Sequence, residues 1–142
     1  MKNLVVLGAG TAGTMAVNKV RTQLPRDEWR ITIVDLDPVH LYQPGLLFVP
    51  FGTYDPADIV RPKESVLHDG IDLIIGEVDR VDPDEQRVML MDGSVLVYDY
   101  LVIASGTTPR PDQTPGMDDP AVWRSDVHEF YTLEGAIALR SA

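Results

Sequence analysis

A four-residue apolar run, Leu4-Val5-Val6-Leu7, leads straight into Gly8-Ala9-Gly10-Thr11-Ala12-Gly13. No other feature narrows the fold as much. Apolar side chains at consecutive positions suit a strand covered on both faces, as in a parallel sheet. The glycines that end it match G-x-G-x-x-G, the strand-to-helix turn of dinucleotide-binding folds. After the turn, Ala12, Ala16, Val20 and Leu24 recur every fourth residue, which predicts a helix over residues 11–24 closed by Pro25. On this pattern Lys19, Arg21 and Gln23 point away from the core. Arg30 to Val34 alternates into a β-branched strand, so residues 3–35 form one βαβ unit with a right-handed crossover.

The chemistry of the turn requires these residue types. Gly8 permits the sharp turn, Gly10 lets the backbone approach a pyrophosphate, and Gly13 lets helix and strand pack closely. A diphosphate would then meet the free N–H groups and positive end of the helix. Asp35 lies 22 residues beyond Gly13, at the end of the second strand. There it is expected to accept hydrogen bonds from both hydroxyls of an adenosine ribose and to disfavour a 2′-phosphate. The same residues would also serve a plain tight turn followed by a surface acid, and the fingerprint by itself does not separate FAD from NAD.

Residues 36–62 read as a long connection, punctuated by Pro38, Pro44, Pro50, Pro56 and Pro62, with Leu41 to Pro50 largely apolar. Connections of this length are often functional. Asp55 before Pro56 predicts a short capped helix over Ala57 to Val60. Ile71 to Ile75 returns to strand. Glu77–Val81, Arg87–Met91 and Val95–Tyr98 then read as a three-stranded meander, turned at Asp82-Pro83-Asp84-Glu85 and at Asp92-Gly93. Tyr100 to Ala104 reads as a second buried parallel strand, and a helical pattern restarts near Leu133.

Composition removes several classes of function. The net charge is −10, which argues against an extended nucleic-acid footprint. The acid excess lies in the second half: residues 1–63 carry 7 basic and 6 acidic side chains, residues 64–142 carry 5 and 16. There are no cysteines, so disulfides, thiolate metal sites and dithiol redox chemistry are absent from the chain, and any electron transfer needs a cofactor. His40, His68 and His128 have no metal-site spacing. Neither a G-x-S-x-G elbow nor a Walker sequence occurs. The first apolar run is too short for a signal peptide, and no stretch approaches a membrane span. The expectation is a soluble or membrane-peripheral protein on the cytoplasmic side.

The segment Tyr98-Asp99-Tyr100-Leu101-Val102-Ile103-Ala104-Ser105-Gly106-Thr107-Thr108-Pro109 resembles the Y-D-x-L-V-I-A-T-G-x-x-P signature of two-dinucleotide-fold flavoproteins, with Ser105 in place of the usual threonine. Together with the glycine turn and the meander, the resemblance covers essentially the whole chain. It implies a Rossmann-like α/β FAD/NAD(P)-binding fold, a parallel sheet with a three-stranded β-meander crossover, and FAD as cofactor. Carried over residue by residue, the cofactor roles fall on Gly8, Gly10, Thr11, Ala12, Gly13, Asp35, Ala104, Ser105 and Gly106. Backbone contact to adenine falls on Val78.

Two further stretches refine the resemblance. His40-Leu41-Tyr42-Gln43-Pro44-Gly45-Leu46-Leu47 is similar to the stretch after the ribose acid in sulfide:quinone oxidoreductases and, less closely, in type II NADH dehydrogenases. The ending Phe130 to Arg140 points towards the sulfide:quinone branch of the FAD-dependent pyridine nucleotide-disulfide oxidoreductases. In that branch FAD takes electrons from sulfide and passes them to a membrane quinone, and Gln43 and Pro44 would lie near the flavin ring system. An apolar loop that only covers the core fits residues 41–52 equally well. Family members oxidise sulfide at a cysteine pair, some with a cysteine in the region matching residues 120–130, and this chain has none there. The resemblance divides the chain into a first part of an FAD domain, residues 1–110, and a connection, 111–142, towards a second dinucleotide-type domain, and implies exposed apolar surface on the chain alone. A type II NADH:quinone dehydrogenase and a non-catalytic nucleotide-binding module are the alternatives.

Overall fold

The computed structural model describes residues 1–142. Its elements in chain order are β1 (Lys2–Leu7), α1 (Thr11–Arg21), β2 (Trp29–Asp35), β3 (Val39–Leu41), β4 (Val60–Pro62), β5 (Asp72–Ile75), β6 (Val78–Asp82), β7 (Arg87–Leu90), β8 (Val95–Val97), β9 (Tyr100–Ile103) and α2 (Leu133–Ser141). They fall into two compact units, each made of two segments: residues 1–40 with 61–106, and residues 41–60 with 107–142.

The first unit is built on a parallel sheet of order β5-β2-β1-β9. Leu4 pairs in register with Ile31 on one side and Tyr100 on the other. Side chains alternate across a strand, so β1 feeds two separate cores. Leu4 and Val6 pack with Val17 of α1, Ile31 and Ile33 on one face. Val5 and Leu7 pack with Val34, Val88, Leu90 and Tyr98 on the other. The meander β6-β7-β8 supplies that second layer as an antiparallel sheet. A helix above and a meander below explain why Leu4 to Leu7 of β1 are all apolar and why Ile31 to Val34 of β2 are buried at every position.

The helix differs from its expected form in two ways. It ends at Arg21, with Thr22 as cap, rather than at Leu24. Its buried face is Gly13, Thr14, Val17 and Arg21, not the stripe through Ala12, Ala16, Val20 and Leu24. Gly13, Val17 and Arg21 also recur every fourth residue, one position or about 100° round the helix from the expected stripe, so spacing alone does not choose between the two faces. Gly13 sets the true face because it must sit against β1. Arg21 was expected outside and is 6% exposed. Its guanidinium donates to the backbone carbonyls of Leu24, Trp29 and Gly70, satisfying orphan acceptors beyond the helix end.

Strand β9 also departs from expectation. It is parallel to β1 as predicted, but it is the sheet edge, so Tyr100, Val102 and Ile103 are exposed rather than buried. One neighbour on one side leaves its outer side chains uncovered.

In the second unit the connection forms two 3-10 turns, Gln43–Leu47 and Pro56–Ile59. The latter replaces the predicted helix over Ala57 to Val60. The Asp58 carboxylate accepts the Asp55 N–H at 2.9 Å, a reach-back that holds its first turn. Leu46, Val49 and Ile59 pack with Ala136 of α2. Thr132 caps α2 by accepting the Gly135 N–H at 3.0 Å. Glu129 accepts the Thr132 N–H at 3.0 Å, the Thr132 hydroxyl at 2.7 Å and Arg124 Nη2 at 3.0 Å. It also accepts the Tyr131 N–H. Burial pushes the Glu129 carboxyl up, and these donors outweigh it, holding the group below the ordinary Glu value. No helix of the chain is long and apolar enough to cross a membrane.

Candidate dinucleotide site

The three glycines of the first turn lack a side chain for different reasons. Gly8 has φ +98°, and a β-carbon built on it would lie 2.3 Å from the Ala104 carbonyl oxygen. A β-carbon on Gly13 would lie 1.8 Å from the Gly8 oxygen. Both positions are closed by the protein itself. Gly10 has φ −72°, and no protein atom stands within 4 Å of where its β-carbon would be. The packing of the fold therefore does not require glycine there, and the space over Gly10 is open.

Gly10 is also the N-cap of α1. No side chain caps that end, and no acidic residue lies in its first turn. Gly10, Thr11 and Ala12 are exposed. The positive end of the helix is therefore uncompensated and accessible, as an anion site requires.

Asp35 sits at the carboxyl end of β2, beside this turn. Its Oδ2 accepts the Ala9 N–H at 2.5 Å, and its Oδ1 accepts the Asp37 N–H at 3.0 Å and pairs with Lys63 Nζ at 2.9 Å. Burial pushes the carboxyl up. The hydrogen bonds from Asp37, Lys63 and Ala9, with the Lys63 charge, outweigh that and hold it below the ordinary Asp value. A carboxylate offers roughly four acceptor positions, so three internal donors leave capacity for about one more rather than the expected pair.

Gly8, Asp35, Val78 and Ser105 line one cavity of about 360 Å³ with Glu77 and Gly76. It opens beyond the carboxyl ends of the parallel strands, where open α/β sheets take their ligands. Ala104 closes the turn from below, its N–H donating to the Leu7 carbonyl at 2.7 Å. Gly106 follows with φ +74°. Gln43 and Pro44 belong to the other unit, where they line an apolar cavity of about 720 Å³ with Leu46, Phe48, Phe130 and Tyr131.

The sequence reading missed Lys63 and Glu77. Lys63 is 28 residues from Asp35 with no motif between them. Glu77 precedes the first meander strand by one residue, and its adjacency to Val78 was the only available signal.

The model of the pyridine nucleotide-disulphide oxidoreductase family matches residues 2–141. The chain belongs to that family. The pyridine nucleotide-disulphide oxidoreductases are FAD-dependent, and the α/β architecture with its parallel sheet is the FAD/NAD(P)-binding Rossmann type. Among curated relatives, the type II NADH:quinone oxidoreductase of Staphylococcus aureus is 32% identical over 121 residues, covering 84% of this chain and 30% of the relative. That of Staphylococcus haemolyticus is 34% identical over the same length and shares. The chain thus spans about a third of the length of the relatives it matches. Among solved structures, the sulfide:quinone oxidoreductase of Aquifex aeolicus superposes with a TM-score of 0.80 at 23% identity, over 99% of this chain and 31% of that one. A NAD-dependent persulfide reductase from A. fulgidus gives 0.76 at 24% identity, over 98% and 27%. At these identities the structural matches report the fold.

Proposed function

We propose that this chain is the FAD-binding portion of a flavin-dependent quinone reductase, with sulfide as electron donor. The observation that supports a dinucleotide at this turn is the open space at Gly10, beside an uncapped helix end and a cavity lined by Asp35, and FAD rather than NAD follows from the family. The free N–H groups of Gly10, Thr11, Ala12 and Gly13 would hold the pyrophosphate. Asp35 would accept one ribose hydroxyl. The backbone at Val78 would contact adenine, and the Ala104-Ser105-Gly106 turn would hold the middle of the cofactor. When bound, FAD supplies two-electron transfer between donor and acceptor; the chain supplies binding and orientation.

The sulfide reading rests on the two stretches similar to the sulfide:quinone branch. In the second unit they line one cavity, Gln43 and Pro44 from the first stretch and Phe130 and Tyr131 from the second. An apolar wall of this kind would suit the face of a flavin ring system. Sulfide oxidation further needs thiols that residues 1–142 do not contain. The second reading, NADH as donor to the same quinone, is favoured by the 32–34% identity to type II NADH:quinone oxidoreductases. A membrane quinone as acceptor would place the protein at the cytoplasmic face of the membrane. Residues 1–110 are proposed as the first part of the FAD domain and 111–142 as the connection to a second dinucleotide-type domain.

Rapid mixing of sulfide or NADH with the FAD-loaded protein in which this chain is joined to the proposed second dinucleotide-type domain, followed at the flavin absorbance band, tests both readings. Bleaching by sulfide and return on adding a quinone supports the first. Bleaching by NADH alone selects the second. No bleaching by either refutes both donor assignments and favours a nucleotide-binding module without activity of its own.

A further inference from the structure

Asp35 does not stand alone at the carboxyl end of β2. Lys63, which follows β4, brings its side chain into the interior, where it is 5% exposed and Asp35 is 17% exposed. Its Nζ pairs with Asp35 Oδ1 at 2.9 Å and donates to the Asp37 carbonyl at 2.5 Å. The Lys63 N–H donates to the Pro38 carbonyl at 2.8 Å, so the backbone is tied to the same loop. A buried ammonium is costly to desolvate and persists only with this kind of pairing. Asp35 lines the 360 Å³ cavity, and Lys63 is not among the residues that line it. The lysine is buried, with its Nζ engaged by Asp35 and the Asp37 carbonyl, so it meets the cavity through the carboxylate.

We propose that Lys63 is a positioning residue for the adenosine end of the cofactor, clamping Asp35 and cancelling its charge. The clamp has two consequences. It fixes the carboxylate in the one orientation in which Oδ2 also holds the Ala9 N–H, so the ribose acid and the phosphate turn are set as a single piece. It also makes the Asp35 and Lys63 pair electrically neutral beside a turn that must receive a dianionic pyrophosphate. The inference rests on the reading of the glycine turn as the FAD site. Besides Lys63, the titratable groups around Asp35 are Asp37, whose carboxylate accepts the Val39 N–H at 2.7 Å; Glu77 on the cavity wall; and His40, whose Nδ1 lies 3.4 Å from the Ala9 oxygen. These three are common to every variant below, so differences between variants isolate Lys63.

The test is FAD affinity, read by quenching of flavin fluorescence on titration into the FAD-stripped protein, from about pH 3 to 8 so that the range includes protonation of an Asp35 held below the ordinary Asp value. Lys63→Met is expected to bind about tenfold more weakly at neutral pH. The pH at which its binding fails on acidification should also rise by about one unit or more, because Asp35 loses its cationic neighbour. Lys63→Arg keeps the cation and should stay within about threefold of wild type with an unshifted acid limb. Should Lys63→Met not fold, Lys63→Gln carries the same comparison, since it can still donate to the Asp37 carbonyl without the charge. Wild-type affinity and acid limb in the uncharged variant overturn the inference. So does a Lys63→Arg protein as weak as the uncharged one. Asp35→Asn separates the two levels: if it binds FAD as tightly as wild type, the site reading itself fails, whereas a weakened Asp35→Asn beside an unaffected Lys63→Met removes only the role of Lys63.

Discussion

The contrast between Gly10 and Gly13 allows ligand binding and folding to be separated with single methyl groups. At Gly13 an added β-carbon would overlap the Gly8 oxygen at 1.8 Å, a backbone atom that cannot swing aside. Helix and strand must part, an overpacking cost of about 1–3 kcal/mol. For a chain of this size that is roughly 3–10 °C in Tm. At Gly10 the φ of −72° suits alanine and nothing lies within 4 Å. There the loss of a favoured N-cap residue and the reduced freedom of the unfolded chain oppose each other, so stability should stay within about 0.5 kcal/mol. The methyl would instead occupy the approach of the pyrophosphate. If it costs the same 1–3 kcal/mol in the complex, FAD affinity falls about 5- to 150-fold. Thermal unfolding without ligand and flavin fluorescence titration measure the two effects independently. A Gly10→Ala protein that binds FAD normally would refute the argument that its open space serves the cofactor, and a Gly13→Ala protein of unchanged Tm would refute the packing argument.

Other outcomes follow from the same structure. Glu129→Gln should lower the stability of the second unit by about 1–3 kcal/mol at neutral pH, since it weakens bonds from Arg124 and three further donors. Because its folded pKa is depressed, the Glu129 contribution is complete above the ordinary Glu range and is lost as pH falls through that range towards the folded value. Urea midpoints measured against pH should therefore converge for wild type and Glu129→Gln in acid; a constant gap would contradict this. Ile33→Ala, at a position 0% exposed, should cost about 2–5 kcal/mol, whereas Ile103→Ala, 67% exposed on the sheet edge, should cost less than about 0.5 kcal/mol. Equal losses at the two positions would contradict the edge placement of β9. Arg21→Met should destabilise by about 1–3 kcal/mol by leaving the Leu24 and Gly70 carbonyls without their donor, and restored stability in Arg21→Lys would show that the charge rather than the fork geometry matters.

Much of the fold was legible because its signals are local. A strand buried on both faces writes apolar residues at every position, a strand-to-helix turn of this type demands glycine at fixed offsets, and a meander shows short strands between turn residues. The glycine turn, the acid at position 35 and the Ala104-Ser105-Gly106 turn could be placed near one another before any coordinates, since each ends a strand of one parallel sheet. The face of α1 was not legible. Its four-residue stripe pointed to Ala12 and Ala16, and the contact of Gly13 with the Gly8 oxygen moved the buried face to Val17 and Arg21.

Residue types and spacing therefore determined the βαβ start, the position of the glycine turn and the family resemblance, because backbone geometry constrains nearby residues directly. Tertiary structure alone decided what depends on distant segments meeting. It made β9 an edge and left apolar side chains exposed there. It divided the chain into units that each draw on two separate stretches. It also joined Asp35 to Lys63 across 28 residues, a pairing that no local pattern encodes, because a buried ion pair is selected by the space and charge around it rather than by its neighbours in sequence.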